Sequence, residues 1–263
     1  IDVNDVERRL KNGKRNYKGI VVVDFAGYPV DMKKLRQLAD TNGLWILEDA
    51  CHAIGAYYLE GGQKQYCGGS GAADITAFSF HPVKHITTGE GGAVTTNSKE
   101  IYEKLLELRA HGIKRLPDFA PWYYEMHSLG FNYRITDMQA ALGISQLKKL
   151  DSFIKRRRKL ALKYDKSFLN SIVKPLYSFT NNSSYHLFVV KVDFSKLNIS
   201  KIDLCYKIRK KNIGLHLHYI PINKQPYYKS LGHGNEDTPI MNRYYDECFS
   251  LPMYSSLSNE EQE

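Results

Sequence analysis

Between Ser79 and Gly92 the sequence reads Ser-Phe-His-Pro-Val-Lys-His-Ile-Thr-Thr-Gly-Glu-Gly-Gly, which sets Lys84 between an apolar run and a glycine-rich turn. A lysine amine held in such a place can form a Schiff base with a carbonyl compound, provided burial or a nearby cation strips part of its proton. Asp49 closes a second apolar run, Leu44-Trp45-Ile46-Leu47, where a buried carboxylate needs a cationic or hydrogen-bonding partner. Taken singly, Lys84 reads equally as a surface lysine and Asp49 as the cap of a following helix. Taken together they suggest pyridoxal phosphate, whose ring nitrogen must stay protonated to act as an electron sink and is served by a facing Asp. His52 lies on the same face as Asp49 if the intervening turn is helical, where it can hydrogen-bond to a ring, stack on it, or simply pack.

The elements that must position these residues follow from the apolar pattern. Ile20-Val21-Val22-Val23 is a continuous β-branched run, as expected of a strand covered on both faces, and it ends at Asp24. A helix is predicted from Asp31 to Ala39, stopped by Asn42-Gly43. Further strands are predicted at 44–47, 75–80 and 92–96, and a further helix at 98–111. Apolar strands alternating with helices of this length define an α/β fold, a mostly parallel sheet with helices on both faces. Ligands of such sheets bind at the carboxyl ends of the strands, which singles out Asp24, Asp49 and Ser79. One long helix is expected from Thr136 to about Phe168, with Asp137 in its first turn complementing the helix dipole. Beyond about Lys155 the chain turns richer in Lys, Asn and Ser. A strand over 185–192, a helix over 202–211 and a strand over 214–220 suggest a smaller α+β domain.

Composition bounds the partners. The 263 residues are 43% hydrophobic and 25% charged, which excludes disorder and collagen-like repeats. A balance of 37 basic to 28 acidic residues gives +9 and favours acidic partners. The run Lys155-Arg156-Arg157-Arg158-Lys159 reads as a solvated helix face, and no nucleic-acid-binding signature accompanies it. Cys51, Cys67, Cys205 and Cys248 form no CxxC pair and no zinc-ligand spacing, so no metal site and a reduced, cytoplasmic protein are expected. No apolar run approaches membrane-spanning length, and the first residues are too charged for a signal peptide.

Three segments in order carry a family resemblance: Glu48-Asp49-Ala50-Cys51-His52-Ala53-Ile54-Gly55-Ala56, then Ser79 to Gly92, then Gly130-Phe131-Asn132-Tyr133-Arg134-Ile135-Thr136-Asp137-Met138-Gln139-Ala140-Ala141. They resemble the nucleotide-sugar aminotransferases of the DegT/DnrJ/EryC1/StrS family, fold-type-I pyridoxal phosphate enzymes. The resemblance implies that Lys84 holds the cofactor and later moves the reacting proton, and that Asp49 faces the pyridinium nitrogen. His52 would lie against the ring near its phenolic oxygen. Ser79 would bind the cofactor phosphate, and Asn132 would reach that phosphate from the neighbouring subunit of a homodimer. Arg134 belongs to the same loop without an assigned role. Relatives that dehydrate sugars carry histidine in place of the lysine. Lys84 is retained, with the Ser-x-x-x-x-Lys spacing intact, so transamination is implied.

His216-Leu217-His218-Tyr219-Ile220-Pro221 and Gln225-Pro226-Tyr227-Tyr228 resemble the family's substrate-facing segment, which makes His218 and Tyr219 candidates for sugar or diphosphate contacts or for packing between domains. By this resemblance residues 1–155 are the C-terminal part of the large cofactor domain, and 156–263 a smaller, truncated C-terminal domain. Ile1 is expected about a third of the way into a longer enzyme whose earlier part carries a phosphate-binding Gly-Thr turn. The implied reaction moves an amino group from L-glutamate to C4 of a UDP-linked 4-keto-6-deoxy-N-acetylhexosamine. Amination of a GDP-linked 4-keto sugar, as in perosamine formation, and an inactive fragment serving as a binding subunit are the alternatives. The positive charge then suits phosphorylated small molecules, without nucleic acid or membrane.

Overall fold

A computed structural model describes residues 1–13 and 16–263. They form two compact units, Ile1–Ser152 and Phe153–Glu263.

The first unit opens with α1 (Val3–Lys11), capped by the Asp2 carboxylate, and continues into β1 (Gly19–Val23). Helix α2 (Met32–Asn42) begins at Asp31, whose carboxylate accepts from the Lys34 N–H, and ends at Gly43. The φ of 62° at Gly43 is the left-handed conformation that glycine adopts without a Cβ clash. Strands β2 (Trp45–Asp49), β5 (Ile75–Ser79) and β6 (Gly92–Thr95) complete a four-stranded sheet of order β1-β2-β5-β6. A hairpin of β3 (Tyr57–Glu60) and β4 (Gln63–Tyr66) lies between β2 and β5 in the chain. β1, β2 and β5 run parallel and β6 antiparallel to them. α2 supplies Met32, Leu35 and Ala39 to a core shared with Ile20, Val22, Leu44 and Ile46. On the other face Val21 and Val23 are exposed, so β1 shows the alternation of a strand with one covered face rather than burial on both.

α3 (Lys99–Arg109) is capped by Ser98, and β7 (Ile113–Arg115) pairs with β8 (Tyr124–Met126). The single helix expected from Thr136 is two: α4 (Asp137–Leu147) and α5 (Leu150–Ser167), the second running into the next unit. The Lys148 N–H still reaches the Ile144 carbonyl at 3.3 Å, but the Lys149 N–H turns to the Gln146 carbonyl at 2.9 Å, an i to i−3 bond that ends the i to i−4 ladder of α4.

In the second unit, β9 (Val173–Pro175), β10 (Phe188–Val192) and β11 (Cys248–Leu251) form an antiparallel sheet of order β11-β10-β9. α6 (Lys201–Arg209), α7 (Pro226–Ser230), α8 (Pro239–Glu247) and α9 (Asn259–Gln262) complete it. The strand expected over 214–220 reduces to one bridge: His216 and Ser250 exchange backbone hydrogen bonds at 3.2 and 2.7 Å. Pro221, without an N–H, then leads into a short helical turn over Ile222–Lys224. Among the described residues no helix is long and apolar enough to cross a membrane.

Candidate active site

Asp49 and Ser79 are the last residues of β2 and β5, neighbouring parallel strands in which Asp49 stands opposite Ala77. Their side chains therefore emerge at one carboxyl edge of the sheet, where strand polarity leaves a crevice for ligands. Asp49 Oδ1 accepts from the Cys51 N–H at 3.0 Å. Asp49 caps no helix: the residues after it form a pair of tight turns, closed by Ala53 N–H to the Ala50 carbonyl and Ala56 N–H to the Ala53 carbonyl, each 2.8 Å. His52 is brought beside β1 by these turns. It is buried, and its Nδ1 accepts from the Ala26 N–H at 3.4 Å. That bond assigns the ring proton to Nε2.

Lys84 is half-buried in the loop after β5, its N–H bonded to the His81 carbonyl at 3.0 Å. Burial holds its amine below the ordinary lysine range, while the nearby Cys51 and Asp49 oppose the shift. The Cys51 thiol is pushed up to about 12, by burial and then by Asp49, so it stands neutral beside the lysine. The Ser79 Oγ accepts from the His81 N–H at 3.4 Å and keeps its own proton to donate. Thr87 and Thr88 fold the segment back: Thr87 Oγ1 donates to the Phe80 carbonyl at 3.0 Å and Thr88 Oγ1 to the Glu90 carbonyl at 2.8 Å. A Cβ at Gly92 would meet the Phe78 carbonyl oxygen at 2.6 Å, so only glycine permits the β5–β6 register that closes the turn.

The loop holding Asn132 is pinned to the end of α3. Phe131 and Tyr133 N–H groups donate to the Leu108 and Arg109 carbonyls at 2.7 and 3.0 Å, and Asn132 bridges Ala110. α4 opens on a capping box of Thr136 and Gln139, and the Gln139 amide donates to the Glu90 carbonyl at 3.0 Å, tying the helix start to the glycine-rich turn. His218 and Tyr219 belong to the second unit. There the His218 Nδ1 lies 2.8 Å from the Ser250 Oγ, the Tyr244 hydroxyl donates to the His218 carbonyl at 2.6 Å, and the Tyr219 ring is exposed.

The donor set at the edge of β2 and β5 contains an amine with a depressed pKa, a carboxylate, a protonated imidazole nitrogen and a hydroxyl, which fits the aldehyde, ring nitrogen, phenolic oxygen and phosphate of pyridoxal phosphate. Two contributors escaped the sequence reading. The Ala26 N–H that holds His52 is a backbone group, and the closeness of Cys51 to Lys84 joins residues thirty-three apart in the chain, which local spacing does not show.

A family model for DegT/DnrJ/EryC1/StrS aminotransferases matches residues 1–263. The chain belongs to that family. Among its relatives, the UDP-4-amino-4,6-dideoxy-N-acetyl-beta-L-altrosamine transaminase of Campylobacter jejuni serotype O:2 is 36% identical over 267 residues, covering 98% of this chain and 66% of the relative. The solved structure of Helicobacter pylori PseC, an aminotransferase involved in the biosynthesis of pseudoaminic acid, superposes with a TM-score of 0.89 at 32% identity, over all of this chain and 67% of that one. The pyridoxal phosphate form of a sugar aminotransferase from Streptococcus pneumoniae gives a TM-score of 0.83 at 28% identity, over 96% of this chain and 68% of that one. The chain spans about two thirds of the length of the curated DegT-family relatives it matches.

Proposed function

We propose that this chain carries the pyridoxal phosphate site of an aminotransferase that moves an amino group from L-glutamate to C4 of a UDP-linked 4-keto-6-deoxy-N-acetylhexosamine, on the way to pseudaminic acid. The observation that carries the reading is the convergence of a lysine amine of lowered pKa with a carboxylate at the end of β2, beside a strand that ends in a serine. The names of the Campylobacter and Helicobacter relatives support the substrate.

When bound, pyridoxal phosphate supplies an electron sink next to the transferred nitrogen. Asp49 would hold the proton on the ring nitrogen. Lys84 would bind the cofactor through its uncharged amine, then carry a proton to and from the reacting carbon as general base and acid. His52, with Nδ1 engaged by Ala26, has Nε2–H to offer a phenolic oxygen. The Ser79 hydroxyl and the Asn132 amide would donate to the phosphate, Asn132 from the second subunit of a homodimer. That assembly is supported by Trp122, Leu129 and Met138, which are 79%, 85% and 84% exposed and too apolar to favour water. His218 and Tyr219 would contact the sugar or its diphosphate. No metal is required. Four free cysteines support a reducing, cytoplasmic setting.

The test is borohydride reduction of the full-length protein with pyridoxal phosphate, followed by peptide mapping. The labelled peptide is expected to contain Lys84 and to vanish in Lys84→Ala; label on another residue overturns the assignment. Parallel assays with UDP- and GDP-linked 4-keto sugars are expected to show amination of the UDP sugar, and a preference for the GDP sugar overturns the substrate.

A further inference from the structure

On the face of β2 opposite Asp49, the Glu48 side chain is buried against Asp24 and Cys67, with relative exposures of 1%, 0% and 6%. One oxygen of each carboxyl and the Cys67 Sγ all lie within 4.8 Å of one another. Each carboxyl has one well-bonded oxygen: Asp24 Oδ1 accepts from the Val30 N–H at 2.9 Å, and Glu48 Oε2 accepts from the Gly68 N–H and the Thr76 hydroxyl, both at 2.9 Å. The other two, Asp24 Oδ2 and Glu48 Oε1, are fully enclosed and meet no N–H or O–H donor. Two bare acceptors in a dry interior repel, and one proton between them removes both the repulsion and both orphaned oxygens.

We propose that Asp24 and Glu48 share one proton, and that this acid–carboxylate pair is a positioning element for Asp49 and His52. Asp24 directly follows β1, and its own N–H donates to the Asp49 carbonyl at 3.1 Å. Two residues later, the Ala26 N–H holds His52. Glu48 precedes Asp49 on β2. A proton between the two side chains therefore ties the loop that orients the imidazole to the strand that carries the carboxylate. Without it, two like charges face each other across that junction. The shared proton stands on geometry alone, whereas the positioning role rests on the proposed cofactor site.

The groups facing the pair are Cys67, at the end of the β3–β4 hairpin, and Tyr58 on β3, both of which feel the charge on Glu48. The Cys67 thiol is raised far above its ordinary range by burial and by both carboxyls, so it is neutral and brings no counter-charge. Burial, then the charge on Glu48, push Asp24 up to about 8 against the opposing Val30 N–H. The folded pair thus binds a proton that the unfolded chain releases above the ordinary carboxylate range. Its stabilising effect is full at low pH and is lost as pH climbs to about 8, by up to roughly tenfold in the folding constant per pH unit.

The experiment is infrared spectroscopy of the full-length protein across pH, with Asp24→Asn and Glu48→Gln beside the wild type, together with metal analysis. A protonated-carboxyl stretching band is expected in the wild type at neutral pH, fading above about pH 8, and absent from Asp24→Asn. The amide of Asp24→Asn still donates to Glu48, so its urea stability is expected to be flatter between about pH 5 and 8. The positioning role predicts that wild-type His52 imidazole NMR signals shift over the same interval as the infrared band, and that Asp24→Asn removes the shift. A wild type with no such band at neutral pH, or with one tightly bound metal ion per chain that Glu48→Gln removes, overturns the shared proton. A band that fades while the His52 signals stay fixed overturns the positioning role. Failure of borohydride labelling at Lys84 at every pH and in every variant would instead strike the cofactor reading, leaving the proton pair untouched.

Discussion

The Arg134 guanidinium donates from both Nε and Nη2 to a single acceptor, the Asn132 Oδ1, at 3.3 and 3.1 Å. This bond fixes which way the Asn132 amide is turned: its oxygen faces the guanidinium, so its NH2 is the edge presented to an anion. Arg134, without a role on sequence grounds, is the group that turns Asn132, and would orient its amide toward the phosphate in the proposed cofactor site. Arg134→Ala is expected to weaken pyridoxal phosphate binding about tenfold, from the loss of a charge-assisted bond worth about 1.5 kcal/mol, with Arg134→Lys intermediate. A cofactor titration by absorbance measures it, and equal affinities would refute it.

Asp49 favours the charged form of Lys84 while burial disfavours it. Asp49→Asn removes the favourable charge, so the lysine is expected to lose its proton at still lower pH. The pH profile for labelling of Lys84 by an amine-selective reagent should accordingly move down in that variant, even as turnover falls by a hundredfold or more, the scale of a misplaced proton-transfer system. An unchanged profile would show that the two groups do not interact.

The Ala26 N–H is enclosed and has the His52 imidazole as its acceptor. His52→Ala strands this donor and is expected to cost about 1–2 kcal/mol of stability in urea unfolding. His52→Gln offers a side-chain oxygen to the same N–H and should recover most of that loss. Recovery equally complete in His52→Leu would mean that bulk, and not acceptance, is what the site needs.

Exposed Met138 and Leu129 test the assembly. Met138→Glu or Leu129→Glu is expected to shift the full-length protein from dimer toward monomer in sedimentation, and to lower cofactor affinity in parallel if Asn132 acts across the interface. Monomerisation with unchanged cofactor affinity would separate the two claims.

In the second unit the buried Arg157 donates through Nη1 to the carbonyls of Tyr185, His186 and Met253, at 3.1, 3.2 and 3.0 Å. Burial lowers its guanidinium to about 10, still charged at neutral pH. Arg157→Ala leaves three enclosed carbonyls without this donor, for an expected loss of about 3 kcal/mol or more in urea unfolding. Arg157→Lys should restore only part of it, because an ammonium cannot reproduce the planar fork. A loss under about 1 kcal/mol in Arg157→Ala would place the guanidinium among dispensable surface charges.

Arg157 also shows where reading the chain by pattern stopped. Within the basic run it reads as part of a solvated face, yet Arg157 is buried and Arg156 and Arg158 are half-buried, because α5 turns about 100° per residue and cannot expose five in succession. The Thr136–Phe168 helix was legible as helical but not as broken, since the break lies in the backbone bonding of Lys149 and leaves composition unchanged. The strand over 214–220 has the right residues, but a strand needs a partner, and among the described residues only Ser250 offers one.

The sequence by itself determined that an α/β sheet would place Asp49, Ser79 and Lys84 near strand ends, because a short apolar run followed by a polar residue and a glycine-rich turn has few other ways to fold. It also determined the family, through motifs whose order and spacing survive without any structure. The folded arrangement alone shows that His52 is held by a backbone N–H twenty-six residues earlier, that Arg134 turns Asn132, and that Glu48 lies close to Asp24 in a dry interior. Each of these joins residues distant in the chain or governed by side-chain direction. Such contacts are set by strand register and burial, which local spacing does not encode.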